Sequence, residues 1–109
     1  MPKPVRLGRL RHRLVLHAPV ELDDGAGGVV RSYEPAATLW AAIEPVAAER
    51  YGGADRQGAR ITHRITLRRR AGLTTCHRLA RGTALYEIRS YDDTEDDAHT
   101  IVLAEEIKP

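Results

Sequence analysis

The sequence predicts an all-β protein, a small antiparallel β-barrel of about six strands with a long loop between two of them. In several segments apolar and polar residues alternate with a period of two, the period of a strand with one buried face. Glycine, aspartate and proline separate these segments, and no stretch shows the apolar period of a long helix. The core must be aliphatic, because the chain has no Phe, one Trp and four Tyr. A length of 109 residues fits a single domain spanning residues 1–109.

The first half of the chain predicts three strands. Residues 8–20 alternate, and residues 21–28 follow as a turn, since glycine permits positive φ and aspartate bonds to nearby backbone. A short strand then covers residues 29–33 and an apolar strand covers residues 38–46. Pro45 cannot donate a hydrogen bond to a neighbouring strand, so the last strand should end, or lie at an edge, near this position.

The second half predicts three more strands. Residues 60–70 alternate, with isoleucine, histidine and leucine on one face and threonine and arginine on the other. Residues 73–82 have no clear period and are predicted to cross between strands. Residues 83–91 alternate again, an acidic turn occupies 92–99, and residues 100–107 form the last predicted strand.

Two segments are predicted to be mobile. Residues 47–58 contain three glycines and mixed charge, and they break the alternation on either side. Loops of this length in a compact domain tend to be functional or disordered. Residues 1–7 are predicted to be a flexible N-terminal arm.

Charge is segregated along the chain although the net charge is only +2. Residues 1–20 carry five basic residues and no acid, and residues 56–86 carry eight arginines and no acid. Aspartates and glutamates concentrate in residues 92–97. Segregated charge indicates contact with a complementary surface, either within one barrel or between molecules.

An arginine row stands out on the polar face of the strand predicted over residues 60–70. Its members are Arg60, Arg64, Arg68 and Arg70. Arginine in this setting pairs with carboxylates or phosphates, so the row faces solvent, a neighbouring subunit or the backbone of duplex DNA. Binding of single-stranded nucleic acid usually requires stacking aromatics in the basic groove, and none lies between Tyr51 and Tyr86.

No motif predicts catalysis, a metal or a cofactor. His12 and His63 lie on apolar strand faces, where a histidine is usually a core residue, and further ligands for a metal are not apparent. Cys76 and His77 are adjacent, so in a strand they point to opposite faces, and as the single cysteine Cys76 cannot form an internal disulfide. The acidic residues 92–97 lack the spacing of a calcium loop. The prediction is a protein that is not an enzyme and binds no cofactor, and no apolar run suggests a membrane span.

Five segments together resemble the head–tail joining family, also called head completion or stopper proteins, of long-tailed bacteriophages and gene transfer agents. They read GRLRHRLVLHAP, TLWAAIEPVAAERY, ITHRITLR, ALYEIRSYDD and TIVLAEE. Their order and spacing are similar to the family pattern from about Gly8 to Glu106.

The resemblance implies a structural protein of the virion neck, made in the bacterial cytoplasm. It implies a ring of six or twelve copies, with the portal and its adaptor ring above and the tail terminator or tail tube below. The ring would retain packaged double-stranded DNA and dock the tail. A loop in the family projects into the channel, and the matching residues here are Ala48, Glu49, Arg50, Tyr51, Gly52, Gly53, Ala54, Asp55, Arg56 and Gln57.

Two alternatives remain at the level of the sequence. Small barrels of the virion neck resemble one another, so a tail-terminator ring protein is an alternative to the stopper within the same class. A stand-alone nucleic-acid-binding β-barrel is the alternative from another class.

Overall fold

A computed structural model describes residues 10–46 and 60–107. In these residues the chain forms six strands and no helix. The strands are β1 (His12–Asp23), β2 (Val29–Pro45), β3 (His63–Arg68), β4 (Arg78–Arg81), β5 (Ala84–Asp93) and β6 (His99–Ile107). They close into a barrel in the order β1-β2-β3-β6-β5-β4, and every neighbouring pair is antiparallel. The predicted all-β antiparallel barrel is therefore confirmed.

The barrel interior is filled by the apolar residues of the alternating strands. Ile43 of β2, Ile65 of β3 and Val102 of β6 are register partners and form one row across three strands. The buried core consists of Leu14, Leu16, Ala41, Ile65, Leu67, Leu73, Leu79, Tyr86, Ile88, Val102 and Ala104. Full burial of one leucine or isoleucine side chain stabilises the fold by about 1.5–3 kcal/mol, so this aliphatic set is the main source of stability. The single Trp40 is half exposed on the outside.

Strand β2 is continuous where the sequence predicted two strands, over residues 29–33 and 38–46. The intervening Pro35 lies beside an irregularity, since Leu16 pairs with Ala37 but His17 pairs with Pro35. A proline is tolerated there because β3 pairs with β2 only over Ala41–Pro45 among the described residues, which leaves the outer edge of β2 free at Pro35. The predicted end of the strand at Pro45 is confirmed.

Strand β4 lies within the segment 73–82, which was predicted to cross between strands without regular structure. That prediction was wrong for Arg78–Arg81, which pairs with β1 on one side and β5 on the other. Four residues with one buried side chain, Leu79, carry too little alternation to be recognised. The number of strands still matches the predicted six, because the unpredicted strand β4 replaces the one lost when two predicted strands join as β2.

Strands β1 and β2 continue past the barrel as a two-stranded ribbon. The ribbon, called here the hairpin arm, consists of residues 18–23 and 29–34. Its register runs without interruption from the Ala18–Glu34 pair to the Asp23–Val29 pair. In the described structure β4 pairs with β1 only over Val15–His17, so both edges of the arm are unpaired. Six residues of strand extend about 20 Å, so the arm is a substantial projection.

The turn at the tip of the arm is closed by Asp24. Its Oδ1 accepts hydrogen bonds from the N–H groups of Ala26 at 2.8 Å and Gly28 at 2.9 Å. These two donors hold the pKa of Asp24 below its ordinary value. Gly25 and Gly27 have φ angles of 78° and 85°, a region that glycine enters without steric cost. The turn predicted over residues 21–28 is confirmed for residues 24–28, whereas residues 21–23 continue strand β1 and pair with β2.

Candidate functional site

The predicted channel loop leaves and rejoins the barrel at one end. Ala48, Glu49, Arg50, Tyr51, Gly52, Gly53, Ala54, Asp55, Arg56 and Gln57 lie outside the described residues. The base of the loop is described: the N–H of Val46 donates to the carbonyl of Thr62 at 3.0 Å, and Pro45 pairs with His63. The segment therefore begins and ends between neighbouring strands, at the end of the barrel opposite the hairpin arm.

The four predicted arginines have different surroundings. Arg64 pairs in register with Glu44 and Leu103 and is only partly exposed, and its Nε is buried without a hydrogen-bond partner. Arg68 is exposed at the end of β3. Arg60 precedes the strand, and its backbone N–H donates to Glu105 Oε1 at 3.3 Å.

Strand β3 ends at Arg68, whereas the sequence predicted strand to residue 70. Arg70 follows in the turn that contains Gly72, whose φ is 84°. The chain leaves the sheet here because a left-handed glycine reverses its direction. Arg70 therefore lies in the turn, while Arg64 and Arg68 remain on the strand.

A depression of about 600 Å³ opens at the end of the barrel where β3 and β5 finish. Its lining contains Leu73, which is buried, and Tyr91, which is 42% exposed. The full lining is Arg68, Arg69, Arg70, Ala71, Gly72, Leu73, Tyr91, Asp93, Asp97, Ala98 and Thr100. It is called the β3–β5 pocket below. Sequence reasoning singled out only two of these residues, because the pocket is assembled from segments far apart in the chain.

Ion pairs neutralise one of the three pocket arginines. Arg69 Nε lies 3.1 Å from Asp93 Oδ2, and Arg69 Nη1 lies 3.7 Å from Asp97 Oδ1. Asp93 also accepts a hydrogen bond from the Thr100 hydroxyl at 2.7 Å, which fixes the carboxylate at the pocket wall. Within the described residues, Arg68 and Arg70 have no ion-pair partner. The pocket therefore combines apolar lining residues, among them the buried Leu73, with two unneutralised guanidinium groups.

A chain of ion pairs crosses the outer surface of β4, β5 and β6. Arg78 pairs with Glu87 at 3.3 Å, Glu87 pairs with Arg89 at 3.0 Å, and Arg89 pairs with Glu105 at 2.6 Å. Burial by itself raises the pKa of Glu105, but hydrogen bonds from Arg89 and from the Arg60 backbone bring it below its ordinary value. Part of the segregated charge is thus neutralised within one molecule.

The described histidines and the cysteine form no catalytic or metal-binding group. His63 is partly buried and packs edge-on against the core residue Tyr86, with ring centroids 5.1 Å apart. The Nδ1 atom of His77 lies 2.9 Å from the hydroxyl of Thr74, so the hydrogen-bond partner of this atom is Thr74. Cys76 is free and exposed. No group of three metal-ligating side chains occurs in residues 10–46 and 60–107.

In the part of the chain that the structure describes, no helix has the length and apolar character needed to cross a bilayer.

Comparison with known proteins assigns this barrel to a class. A family model for phage head completion proteins matches residues 5–107, which is nearly the whole chain. A search of curated proteins finds no match.

Two solved structures share the fold. Protein SF1141 from Shigella flexneri 2a has a TM-score of 0.74 at 22% sequence identity, covering 94% of this chain and 96% of its own. A chain of the native gene transfer agent virion has a TM-score of 0.67 at 20% identity, covering 89% of this chain and 94% of its own.

The molecule is thus a small closed β-barrel of the kind found in virion structural proteins. The chain belongs to the phage head completion protein family. It is a structural component of phage-type head–tail assembly, and the resemblance noted in its sequence is confirmed.

Proposed function

We propose that this protein is a neck stopper: a ring-forming connector that retains packaged double-stranded DNA and docks the tail. Copies would form a ring of six or twelve subunits between the portal and its adaptor and the tail terminator or tail tube. The protein would be made in the bacterial cytoplasm, enter the virion, and act without catalysis or a cofactor. Membership of the head completion family supports the general role.

The observation that carries the proposal is the tied base of the long loop. The Val46–Thr62 hydrogen bond of 3.0 Å joins the two strand ends from which residues 47–58 depart. A loop anchored at both ends on a closed barrel can change conformation without disturbing the core, because the described core residues all lie outside residues 47–58. Such a loop suits a gate that is closed while DNA is held and opens on ejection.

Ring symmetry would multiply the effect of each loop. A single loop occludes little of a channel wide enough for duplex DNA, but several related by rotation meet near the axis. Arginine contacts with phosphate are also weak singly and add up when repeated around a channel. Arg50 and Arg56 belong to the proposed channel loop and would supply such contacts.

One observation favours the alternative of a stand-alone nucleic-acid-binding barrel. The fold brings Tyr91 to the same pocket as Arg68 and Arg70, so an aromatic ring lies beside free guanidinium groups. Stacking platforms for single strands usually present several aromatics along a groove, and this pocket has one.

A titration with free duplex and single-stranded DNA over a range of salt separates the two functions. A stand-alone binder shows affinity that falls steeply with salt. The stopper binds free DNA poorly and copurifies with particles.

The deletion of Tyr51–Arg56 tests the channel loop directly. The shortened chain should fold, since no described core residue is removed, and should enter particles. Those particles should lose their DNA after packaging, because shortened loops do not meet at the axis. The measurements are thermal unfolding of the purified chain, immunodetection in particles, and nuclease-protected DNA per particle.

A matched control replaces the same six residues with glycine and serine, keeping the length of the loop. If closure is steric, this control retains more DNA than the deletion variant. Full retention of DNA by particles that contain the deletion variant would refute the channel-loop assignment.

A further inference from the structure

We propose that the hairpin arm of one subunit docks in the β3–β5 pocket of a second copy of this chain, and that this contact links neighbours in the ring. The inference rests on the proposed function, since it assigns the surfaces through which the stopper ring would assemble.

One face of the arm is apolar and open to solvent. Leu22 and Val30 are cross-strand partners, so their side chains lie on the same face, and Val20 lies two residues further on that face. Leu22 is 56% exposed and Val30 is 53% exposed. Burial of two such exposed aliphatic side chains against a partner is favourable. The end of the ribbon is therefore a candidate interaction surface.

The tip of the arm is also acidic. Residues 21–31 contain Glu21, Asp23 and Asp24 and a single arginine, Arg31. Arg31 is paired with Glu21 at 2.8 Å, which leaves the two aspartates as the net charge of the tip. Asp23 and Asp24 directly follow Leu22 in the chain, and their Oδ1 atoms accept hydrogen bonds from N–H groups of the turn.

The β3–β5 pocket has the complementary character. Its apolar lining includes Leu73, Ala71 and Ala98, and its two unneutralised charges are those of Arg68 and Arg70. A volume of about 600 Å³ falls within the roughly 300–1,000 Å³ of pockets that take a small ligand, so two aliphatic side chains fit with room to spare. Apolar residues would meet apolar residues while two aspartates approach two arginines.

The arm does not fill the pocket of its own subunit. It extends from β1 and β2, whereas the pocket is framed by β3, β5 and β6, and no arm residue is among those that line it. Contact between two different surfaces of identical subunits is heterologous, and it closes into a ring when the rotation between neighbours divides a full turn. Arm-to-pocket docking is therefore a contact of the heterologous type from which rings are built.

Cross-linking in assembled particles tests this contact. The chain carries Cys76→Ser, together with Val30→Cys on the arm and Ala71→Cys at the pocket, and replaces the natural chain during assembly. Purified particles are treated with a short bismaleimide and the chain is analysed by denaturing electrophoresis. The expected result is a ladder of linked chains extending to the full ring.

Three controls define the head-to-tail direction. Particles with Val30→Cys alone or Ala71→Cys alone should show no linked chains, and particles assembled from both single variants should show dimers but no longer species. A pairing of Val30→Cys with Thr83→Cys, at the exposed turn between β4 and β5, should also give no ladder.

Two kinds of failure are distinguishable. If the chain is present in the neck but the double variant gives no ladder, or if it links to another virion protein, the arm-to-pocket contact is overturned while the stopper function stands. Linking of Val30→Cys alone would show a symmetric arm-to-arm contact and also overturn it. If the chain is absent from particles that still hold their DNA, the proposed function fails.

Discussion

Ile65 shows how single residues of this chain act through alternation and burial. It has no exposed surface and lies between Ile43 and Val102 in the inward row. Its neighbours in sequence, Arg64 and Thr66, point outward, so the facing that the sequence predicted for this strand is confirmed. The same alternation could not predict that Thr66 is 3% exposed, because burial on the outer face depends on side chains that surround it in space.

Ile65→Asp should unfold the domain. An unpaired buried charge costs several kcal/mol, a large share of the roughly 5–15 kcal/mol that holds a domain folded. Ile65→Val is the matched control, with an expected loss of about 0.5–1.5 kcal/mol. Circular dichroism melts of the three proteins measure the difference. A melting curve for Ile65→Asp like that of the parent would show that the side chain does not face the core.

Asp24 should titrate below the ordinary aspartate pKa of 3.8, because the N–H groups of Ala26 and Gly28 stabilise its charged form. Because its pKa is lower in the folded state, this carboxylate stabilises the turn at pH values above the pKa of the unfolded chain. That contribution is lost as pH falls through the folded pKa. NMR titration of the two amide protons should give a midpoint under 3.8. Asp24→Asn should abolish the titration, and a midpoint at or above the ordinary value would contradict the assignment.

The strands differ in how far their sequences specify them. Strands β5 and β6 have clear alternation and lie where it predicts them. β4 is four residues long and exists through its partners β1 and β5, which sequence periodicity does not reveal. β2 runs through Pro35, since a free edge and a register shift remove the need for the missing N–H. Local alternation therefore predicts strands that have one fully buried face. It fails where strand formation depends on the neighbouring strands, as in β4, or on a free edge, as in β2.

The hairpin arm is anchored at its base by Arg78. The guanidinium carbon of Arg78 lies 4.0 Å from the Tyr33 ring centroid, and Arg78 Nη2 donates to Glu87 at 3.3 Å. The contact bridges the arm to β4 and β5. A cation–π contact at a partly exposed site contributes about 0.5–1 kcal/mol, enough to restrict a two-stranded ribbon with free edges.

Arg78→Ala should leave the barrel folded and loosen the arm. Amide hydrogen exchange should speed up in residues 18–22 and remain unchanged in β6. Arg31→Ala is the control, because it removes only the exposed pair with Glu21, worth about 0–1 kcal/mol, and leaves the base intact. Equal exchange in the parent and in Arg78→Ala would show that Arg78 does not hold the arm.

At the scale of the whole molecule the barrel has distinct surfaces at its two ends. One end carries the hydrogen bond between Val46 and Thr62, at the base of the proposed channel loop. The other carries the hairpin arm and the β3–β5 pocket. Under the proposed function, this separation would let a ring form through the arm and the pocket while the loop at the other end gates the channel.

The sequence singled out Arg68 and Arg70 but not the pocket that they line. The predicted channel loop, which interrupts the alternation, lies outside the described residues and stays a prediction. The pocket joins Arg68 and Arg70 to Tyr91 and Ala98, residues brought together only by barrel closure. A pocket whose lining residues are far apart in the sequence cannot be predicted from local patterns when no sequence motif connects them.

An image of the neck of DNA-filled particles tests the central claim most directly. The stopper account predicts this chain as a closed ring between the portal adaptor and the tail, with residues 47–58 directed to the channel axis. A neck in which the chain is missing, or in which residues 47–58 lie on the outer rim away from the axis, would contradict it.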